Sequence, residues 1–261
     1  MMTSVHVARH GALYQVTLDR PRANAVDAAM SRALYVAFRA FQDDPEARVA
    51  ILTGAGDRFF CAGWDLKAGA EGEDGEADHG PGGFAGITEF FDLDKPVIAA
   101  VNGLAFGGGF ELALACDLIV AAEGAEFALP ESGLGLVANA GGVQRLPRRI
   151  APALAMELLL TGRRVAAGEA LRLGLVNQVA PLGSLMSAAR EFAATIASKA
   201  PLATRAAKAL VRAGEGLSVE EAFAAMRSGR VAVYEALLAS QDAREGPRAF
   251  AEKRPPVWTG R

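Results

Sequence analysis

The residues of this chain best placed to do chemistry are two glutamates in unusual company. Glu111 follows Gly107-Gly108-Gly109-Phe110 and opens the apolar run 112–115. Three consecutive glycines are unfavourable inside a helix, because glycine loses the most backbone freedom on ordering. They suit a loop where backbone must approach something closely. The run after them reads as the first turns of a buried helix. Together they aim unpaired N–H groups and the positive end of a helix dipole at one place, with a carboxylate in the first turn. Such a place favours an anion, including an oxyanion that develops during a reaction. A tight turn with close helix packing and a surface glutamate is the plainer alternative.

Glu131 lies 20 residues further on, directly after Pro130 at the end of an apolar strand. A helix down and a strand back is a path that returns the chain to the same end of a sheet. Two carboxylates in one apolar pocket hold a water between them. They act as base and acid if their surroundings push their pKa values apart. Two ordinary helix-start glutamates, favoured only by the helix dipole, are again the alternative.

The elements that must position these groups alternate between strand and helix. A β-hairpin is expected over 6–18, turning at Gly11-Ala12. A helix is expected over 28–41, capped by Asp27, with Met30, Leu34, Phe38 and Phe41 at helical spacing. Short apolar runs at 49–53, 97–101, 117–122 and 125–129 read as buried strands. Residues 68–86, with Glu71, Glu73, Asp74, Glu76 and Asp78, read as an exposed loop, and 133–142 as a second glycine-bearing loop. Helices follow over 153–160, 185–200, 202–213, 219–238 and 242–252, with a late strand at 175–179. Gly162 is a C-cap, and Ser218-Val219-Glu220-Glu221 a capping box. The pattern is α/β with parallel pairing, a core over 1–180 and a helical region over 181–261.

Composition narrows the function. The chain has 261 residues, 51% of them apolar and 22% charged, with a net charge of −3, so it offers no basic footprint for nucleic acid. Cys61 and Cys116 have no paired spacing, which points to a reduced, cytoplasmic protein. His6, His10 and His79 are scattered and make no metal site with them. No signal peptide or membrane span is expected. A dinucleotide-binding fingerprint fails, because Gly54-Ala55-Gly56 is followed by Phe59 where the third glycine belongs.

Several stretches, in order, resemble the signatures of the crotonase (enoyl-CoA hydratase/isomerase) superfamily. They are Phe60-Cys61-Ala62-Gly63-Trp64-Asp65-Leu66, Gly107-Gly108-Gly109-Phe110-Glu111-Leu112-Ala113, and Pro130-Glu131 through Gly141-Gly142-Val143-Gln144-Arg145-Leu146. The likeness extends from Leu18-Asp19-Arg20-Pro21 to Phe250-Ala251-Glu252-Lys253-Arg254. It implies a β/α spiral core with C-terminal helices that mediate trimerisation, usually two trimers in a hexamer. It implies an acyl-CoA substrate whose thioester carbonyl sits between the backbone N–H groups of Trp64 and Gly108. Glu111 and Glu131 match the family's catalytic carboxylates, and keeping both favours adding or removing water across a 2,3 double bond. Coenzyme A, as part of the substrate, would be the only cofactor chemistry, with no metal. It would meet Arg22, Ala23, Ala62, Asp65, Leu66 and Lys67, with Phe250 and Lys253 reaching its phosphates from a neighbouring subunit.

Within the superfamily, Gly63-Trp64-Asp65-Leu66-Lys67, Gly80-Pro81-Gly82-Gly83-Phe84-Ala85-Gly86 and Arg254-Pro255-Pro256-Val257-Trp258 resemble the branch acting on crotonobetainyl-CoA. The quaternary ammonium of that substrate donates no hydrogen bond and is recognised by aromatic faces or carboxylates. Phe84, Phe90, Phe106 and Phe110 are candidate walls of the acyl pocket, and the acidic loop could steer a cation. Asn139 stands where relatives carry glycine or an acid, and Ala138 where many carry proline. A general short-chain enoyl-CoA hydratase, an isomerase and a non-catalytic binding protein remain as alternatives. So does a core role for the phenylalanines.

Overall fold

The computed structural model describes residues 4–72 and 77–261. Glu73, Asp74 and Glu76 of the acidic run lie outside the described residues. The chain divides into two compact units, Met1–Leu93 with Val97–Ala193, and Asp94–Pro96 with Ala194–Arg261.

In the first unit, strands β1 (Val5–His10) and β2 (Leu13–Leu18) form the expected antiparallel hairpin. Helix α1 (Ala28–Asp43) follows, and its N-cap Asp27 accepts a hydrogen bond from Met30 N–H. Leu34, Phe38 and Phe41 are fully buried on its inner face, as their spacing requires. Then come β3 (Val49–Gly54), β4 (Phe59–Cys61) and a short helix α2 (Leu66–Ala70). Next are β5 (Val97–Val101), β6 (Leu104–Phe106), α3 (Gly108–Ala115), β7 (Leu118–Ala122) and β8 (Glu126–Ala128). Helices α4 (Gly142–Arg149) and α5 (Pro152–Thr161), strand β9 (Val165–Ala166), α6 (Ala167–Arg172) and β10 (Gln178–Ala180) complete the pattern. The division between units falls inside α7 (Leu185–Ala197).

The strands form two sheets, ordered β1-β2-β3-β5-β7-β10 and β4-β6-β8-β9. Each turn of chain therefore leaves one strand in the large sheet and the next in the small one: β3 then β4, β5 then β6, β7 then β8. That alternation is the spiral the resemblance implies. The large sheet is parallel from β2 onward, and β3 and β5 are buried at every residue. In the small sheet β4, β6 and β8 run parallel, with Cys61 opposite Ala105 and Ala105 opposite Phe127.

Strands β4 and β6 of that sheet have three residues each, too few for a periodicity to show, and were not read from the sequence; β8 was, as the apolar run 125–129. The loop expected to be exposed over 68–86 contains the end of α2 and, among the described residues, a 3₁₀ turn at Phe84–Gly86, and its stretch 82–86 is buried because it packs under α1. Residue 142, expected in a loop, is the first of α4. The late strand lies at Gln178–Ala180, shifted from 175–179, while Leu175 and Val176 are buried ahead of it.

The second unit is helical: α8 (Pro201–Ala213), α9 (Val219–Arg227), α10 (Ala232–Ala239) and α11 (Gln241–Ala251). The one long helix expected over 219–238 is two, because Gly229 takes a left-handed conformation (φ 74°) between them. The capping box at Ser218 and Glu221 is present. Within this unit Arg205 pairs with Asp94 through two hydrogen bonds of 2.8 and 2.9 Å, and Lys208 Nζ donates to Lys95 O at 2.7 Å.

Helix α3 is held at both ends. The half-buried Arg149 guanidinium of α4 donates to the carbonyls of Leu114 and Cys116 at its C-terminal end, where positive charge complements the dipole. At its start, Gly109 is pressed on β4: a methyl group there would lie 2.0 Å from Cys61 O. Gly109→Ala is therefore expected to destabilise the protein by about 3 kcal/mol or more, at the upper end of overpacking costs. Urea denaturation of the purified variant measures this.

Candidate active site

Three stretches of chain converge just beyond the carboxyl ends of β4, β6 and β8, the end of a parallel sheet where ligands ordinarily bind. β4 leads into Ala62-Gly63-Trp64, β6 into Gly107-Gly108, and β8 into Leu129-Pro130-Glu131. Because the strands are neighbours in the order β4-β6-β8, these segments are neighbours too.

Backbone dominates the first two. Gly63 has φ 90°, and a side chain on it would collide with Gly108 N at 2.7 Å and Phe106 O at 2.8 Å. Gly107, at φ 53° and ψ −128°, is the N-cap of α3, and its N–H extends the β6–β8 pairing to Ala128 O at 2.9 Å. Gly108 N–H, in the first turn of α3, has no carbonyl a turn back along the helix to meet. Trp64 forms a single parallel bridge with Val26, made by Val26 N to Gly63 O (2.8 Å) and Asp65 N to Val26 O (3.0 Å). In that pattern Trp64's own N–H points away from Val26. Its indole lies instead on Gly69 of α2, where a methyl group would sit 2.5 Å from Cη2.

The two carboxyl groups lie near enough to each other for the Glu131 charge to act on Glu111. Glu111, 3% exposed, accepts a hydrogen bond from Gly142 N–H at 2.8 Å on Oε1. Glu131 sits in a 3₁₀ turn after Pro130, and a side chain on Gly107 would meet its Oε1 at 2.8 Å. Its Oε2 is buried and is the one such side-chain atom without a hydrogen-bond partner among the described residues. Burial pushes the Glu111 carboxyl up to about 7, against the opposing pull of the Gly142 and Ala140 N–H groups, and the Glu131 charge pushes in the same direction as burial. Burial also raises the Glu131 carboxyl. Both carboxyl groups are thus harder to ionise than an exposed glutamate. Burial drives the adjacent Cys61 thiol up to about 12, so it adds no negative charge beside Gly63.

Of the acyl-pocket candidates, Phe84 lies at the site: a methyl group on Gly108 would meet its Cε1 at 2.5 Å. Phe110 packs on Phe127, with ring centroids 5.2 Å apart, and Phe90 on Tyr35 at 5.1 Å. Phe106 carries the Arg164 guanidinium 4.9 Å from its ring centroid. Asn139 is exposed, its N–H bonded to Val137 O. Among the coenzyme candidates, Ala62 N–H pairs with Ala23 O at 3.0 Å, and Arg22, Leu66 and Lys67 are exposed. Asp65 caps α2 through Lys67 N–H. Burial works to raise its carboxyl, but that N–H and the Arg20 guanidinium hold it below the usual range. Phe250 (88% exposed) and Lys253 lie on the second unit's surface.

Sequence reasoning missed Gly142 and Ala140 as donors to Glu111, since a backbone N–H carries no residue-type signal. It also left His79 unassigned. His79 is buried, 3.0 Å from Ser31 Oγ through Nδ1, with its ring against Phe84 at 5.4 Å. Ser31 Oγ donates to Asp27 O and accepts from Ala85 N–H, so Nδ1 carries the hydrogen that meets it. Among the described residues no cluster of three His, Cys, Asp or Glu could hold a metal ion, and no helix is long and apolar enough to cross a membrane.

A spiral of paired sheets that brings Gly63, Gly108, Glu111 and Glu131 together defines one class of protein. Residues 8–261 match the enoyl-CoA hydratase/isomerase family, and the chain belongs to it. It is 59% identical to a carnitinyl-CoA dehydratase of Salmonella typhi and to another of Salmonella heidelberg (strain SL476), over all 261 residues and the whole of each relative. Its fold matches the crystal structure of an enoyl-CoA hydratase from Mycobacterium tuberculosis H37Rv with a TM-score of 0.90 at 45% identity, both chains fully covered. A carnitinyl-CoA hydratase from Mycobacterium avium matches with a TM-score of 0.77 at 46% identity, again over the full length of both.

A carboxyl whose folded-state pKa lies above its unfolded value opposes folding once pH passes the unfolded value, and fully so above the folded one. For Glu111, moving from an ordinary 4.5 to about 7, the cost at pH 8 is of order 3 kcal/mol. Glu111→Gln keeps an acceptor for Gly142 N–H without the charge. It should raise Tm at pH 8 and change it little at pH 4.5, as calorimetry at the two pH values would record.

Proposed function

We propose that this protein adds water to, or removes it from, the 2,3 double bond of an enoyl-CoA thioester, with crotonobetainyl-CoA and carnitinyl-CoA as its substrate pair. The observation that carries the reaction is the electrostatically coupled pair Glu111 and Glu131, with the partnerless Glu131 Oε2, near the start of α3. A thioester carbonyl between Trp64 N–H and Gly108 N–H gains electron density as water attacks Cβ. One such preset donor contributes about 3 kcal/mol to the transition state.

Glu111, held by Gly142 N–H, orients the water and takes a proton from it as the oxygen bonds to Cβ. The π electrons move to Cα and the thioester oxygen, and Glu131 delivers a proton to Cα. Proton exchange with solvent resets the pair, and dehydration runs the same steps backwards. Substrate, water and two carboxyl groups suffice for the balance.

The choice of acyl group is supported by the full-length, 59% identical relatives named carnitinyl-CoA dehydratase. Phe84 at Gly108 supplies the aromatic face that a quaternary ammonium favours. The reading includes Arg22, Ala23, Ala62, Asp65, Leu66 and Lys67 around the coenzyme. It also includes a cytoplasmic trimer or pair of trimers in which Phe250 and Lys253 reach a neighbour's coenzyme. Val211, Val219, Phe223 and Leu238 are exposed apolar side chains of the second unit that such an assembly would cover.

Loss of enoyl-thioester absorbance with purified enzyme tests the reaction. Glu111→Gln and Glu131→Gln should each lower kcat at least 100-fold while the protein stays folded; full activity in either removes that residue from the mechanism. Hydration should fall as pH drops below about 7, as the base is protonated. A kcat/KM for crotonyl-CoA clearly above that for crotonobetainyl-CoA would defeat the assignment of the acyl group.

A further inference from the structure

Arg20 lies outside every role assigned above, yet it is tied to both strands of the bridge that sets Trp64. Its Nη2 lies 3.0 Å from Asp27 Oδ2 and 2.7 Å from Asp65 Oδ2, and its Nη1 donates to Ala25 O at 2.8 Å. Asp27 follows Val26, and Asp65 follows Trp64, so the guanidinium spans the pair just past the Val26–Trp64 bridge. Each aspartate spends its other oxygen as a helix cap: Asp27 Oδ1 accepts from Met30 N–H at 2.7 Å, and Asp65 Oδ1 from Lys67 N–H at 3.0 Å. All three side chains are half-buried, at 26%, 23% and 17% exposure, where ion pairs are screened less than at a free surface.

We propose that Arg20 is a positioning residue of the oxyanion hole, fixing the direction of Trp64 N–H by clamping the caps of α1 and α2 together. The inference rests on the hydratase reading. Gly108 N–H is set by α3 and the small sheet. Trp64 N–H is set by a loop pairing in which Ala62 N–H bonds Ala23 O, Val26 N–H bonds Gly63 O and Asp65 N–H bonds Val26 O, and Arg20 closes that pairing at its Asp27–Asp65 end. The guanidinium is planar and forked, so it fixes the angle between its partners as well as their distance. Without it, two carboxylate oxygens that shared one nitrogen would repel each other across the bridge, and Trp64 N–H would swing with them. The effect belongs in the transition state, where charge reaches the carbonyl oxygen, and only weakly in substrate binding.

The test compares Arg20→Met and Arg20→Lys with the parent enzyme on an enoyl-CoA. Arg20→Met should lower kcat about 10- to 100-fold, a fraction of what deleting an oxyanion donor costs, with KM changed less than threefold. Arg20→Lys, which offers a point charge without the fork, should fall between. The same substitutions in a Glu111→Gln/Glu131→Gln background allow a bound, unreacting thioester to be examined by infrared spectroscopy. The bound carbonyl stretch should lie below its frequency in water, and Arg20→Lys or Arg20→Met should return part of that shift. Arg20→Lys keeps the experiment decisive if Arg20→Met fails to fold. An unchanged kcat and carbonyl frequency, or a loss confined to KM, would overturn the role of Arg20. A parent enzyme that neither turns over enoyl thioesters nor shifts the carbonyl would overturn the hydratase reading itself.

Discussion

The site depends on backbone touching backbone where α3 begins. Gly109 lies against the Cys61 carbonyl, and Gly63 against the Gly108 amide, at distances that leave no room for a side chain. This contact brings the turn after β4 against the start of the helix after β6. It also decides where Glu111 goes, since that residue is one helical turn further along the same α3. The strands behind it are short, but they are parallel neighbours, so their carboxyl ends deliver three loops to one place. Arg149 at the far end of α3 holds the helix against sliding.

Electrostatics at the site follow from burial acting on groups with different partners. The Cys61 thiol has only a weak N–H contact from Gly63 and stays neutral. Glu111 has backbone donors and is still raised, because its burial outweighs them. Glu131 offers one oxygen to no protein group. Holding Glu111 ionised therefore costs stability.

Much of the large sheet was legible in the sequence, because its strands are continuous apolar runs bounded by turn residues and its hairpin alternates. Helix α1 was legible from the Asp27 cap and the spacing of Met30, Leu34, Phe38 and Phe41. In the small sheet only β8 was legible, as the apolar run 125–129, since strands as short as β4 and β6 carry no period. The break at Gly229 was missed because the capping box at Ser218 marks where a helix starts and says nothing about where it stops. The aromatic candidates show the same limit. Phe84 and Phe110 are alike as sequence, yet one ring reaches Gly108 and the other packs on Phe127 in the core.

The sequence by itself determined what is local: that a bare glycine turn feeds a helix with a carboxylate in its first turn, and that a second carboxylate follows Pro130. It determined family membership too, through the order of the glycine, tryptophan and glutamate motifs. Tertiary structure alone decided which amide meets which carboxylate. Gly142 N–H reaches Glu111 across 31 residues of chain, and Arg20 reaches Asp65 from another loop. Backbone N–H groups are the same in every residue but proline. Their use as donors is therefore set by where packing places them, and residue type alone does not reveal it.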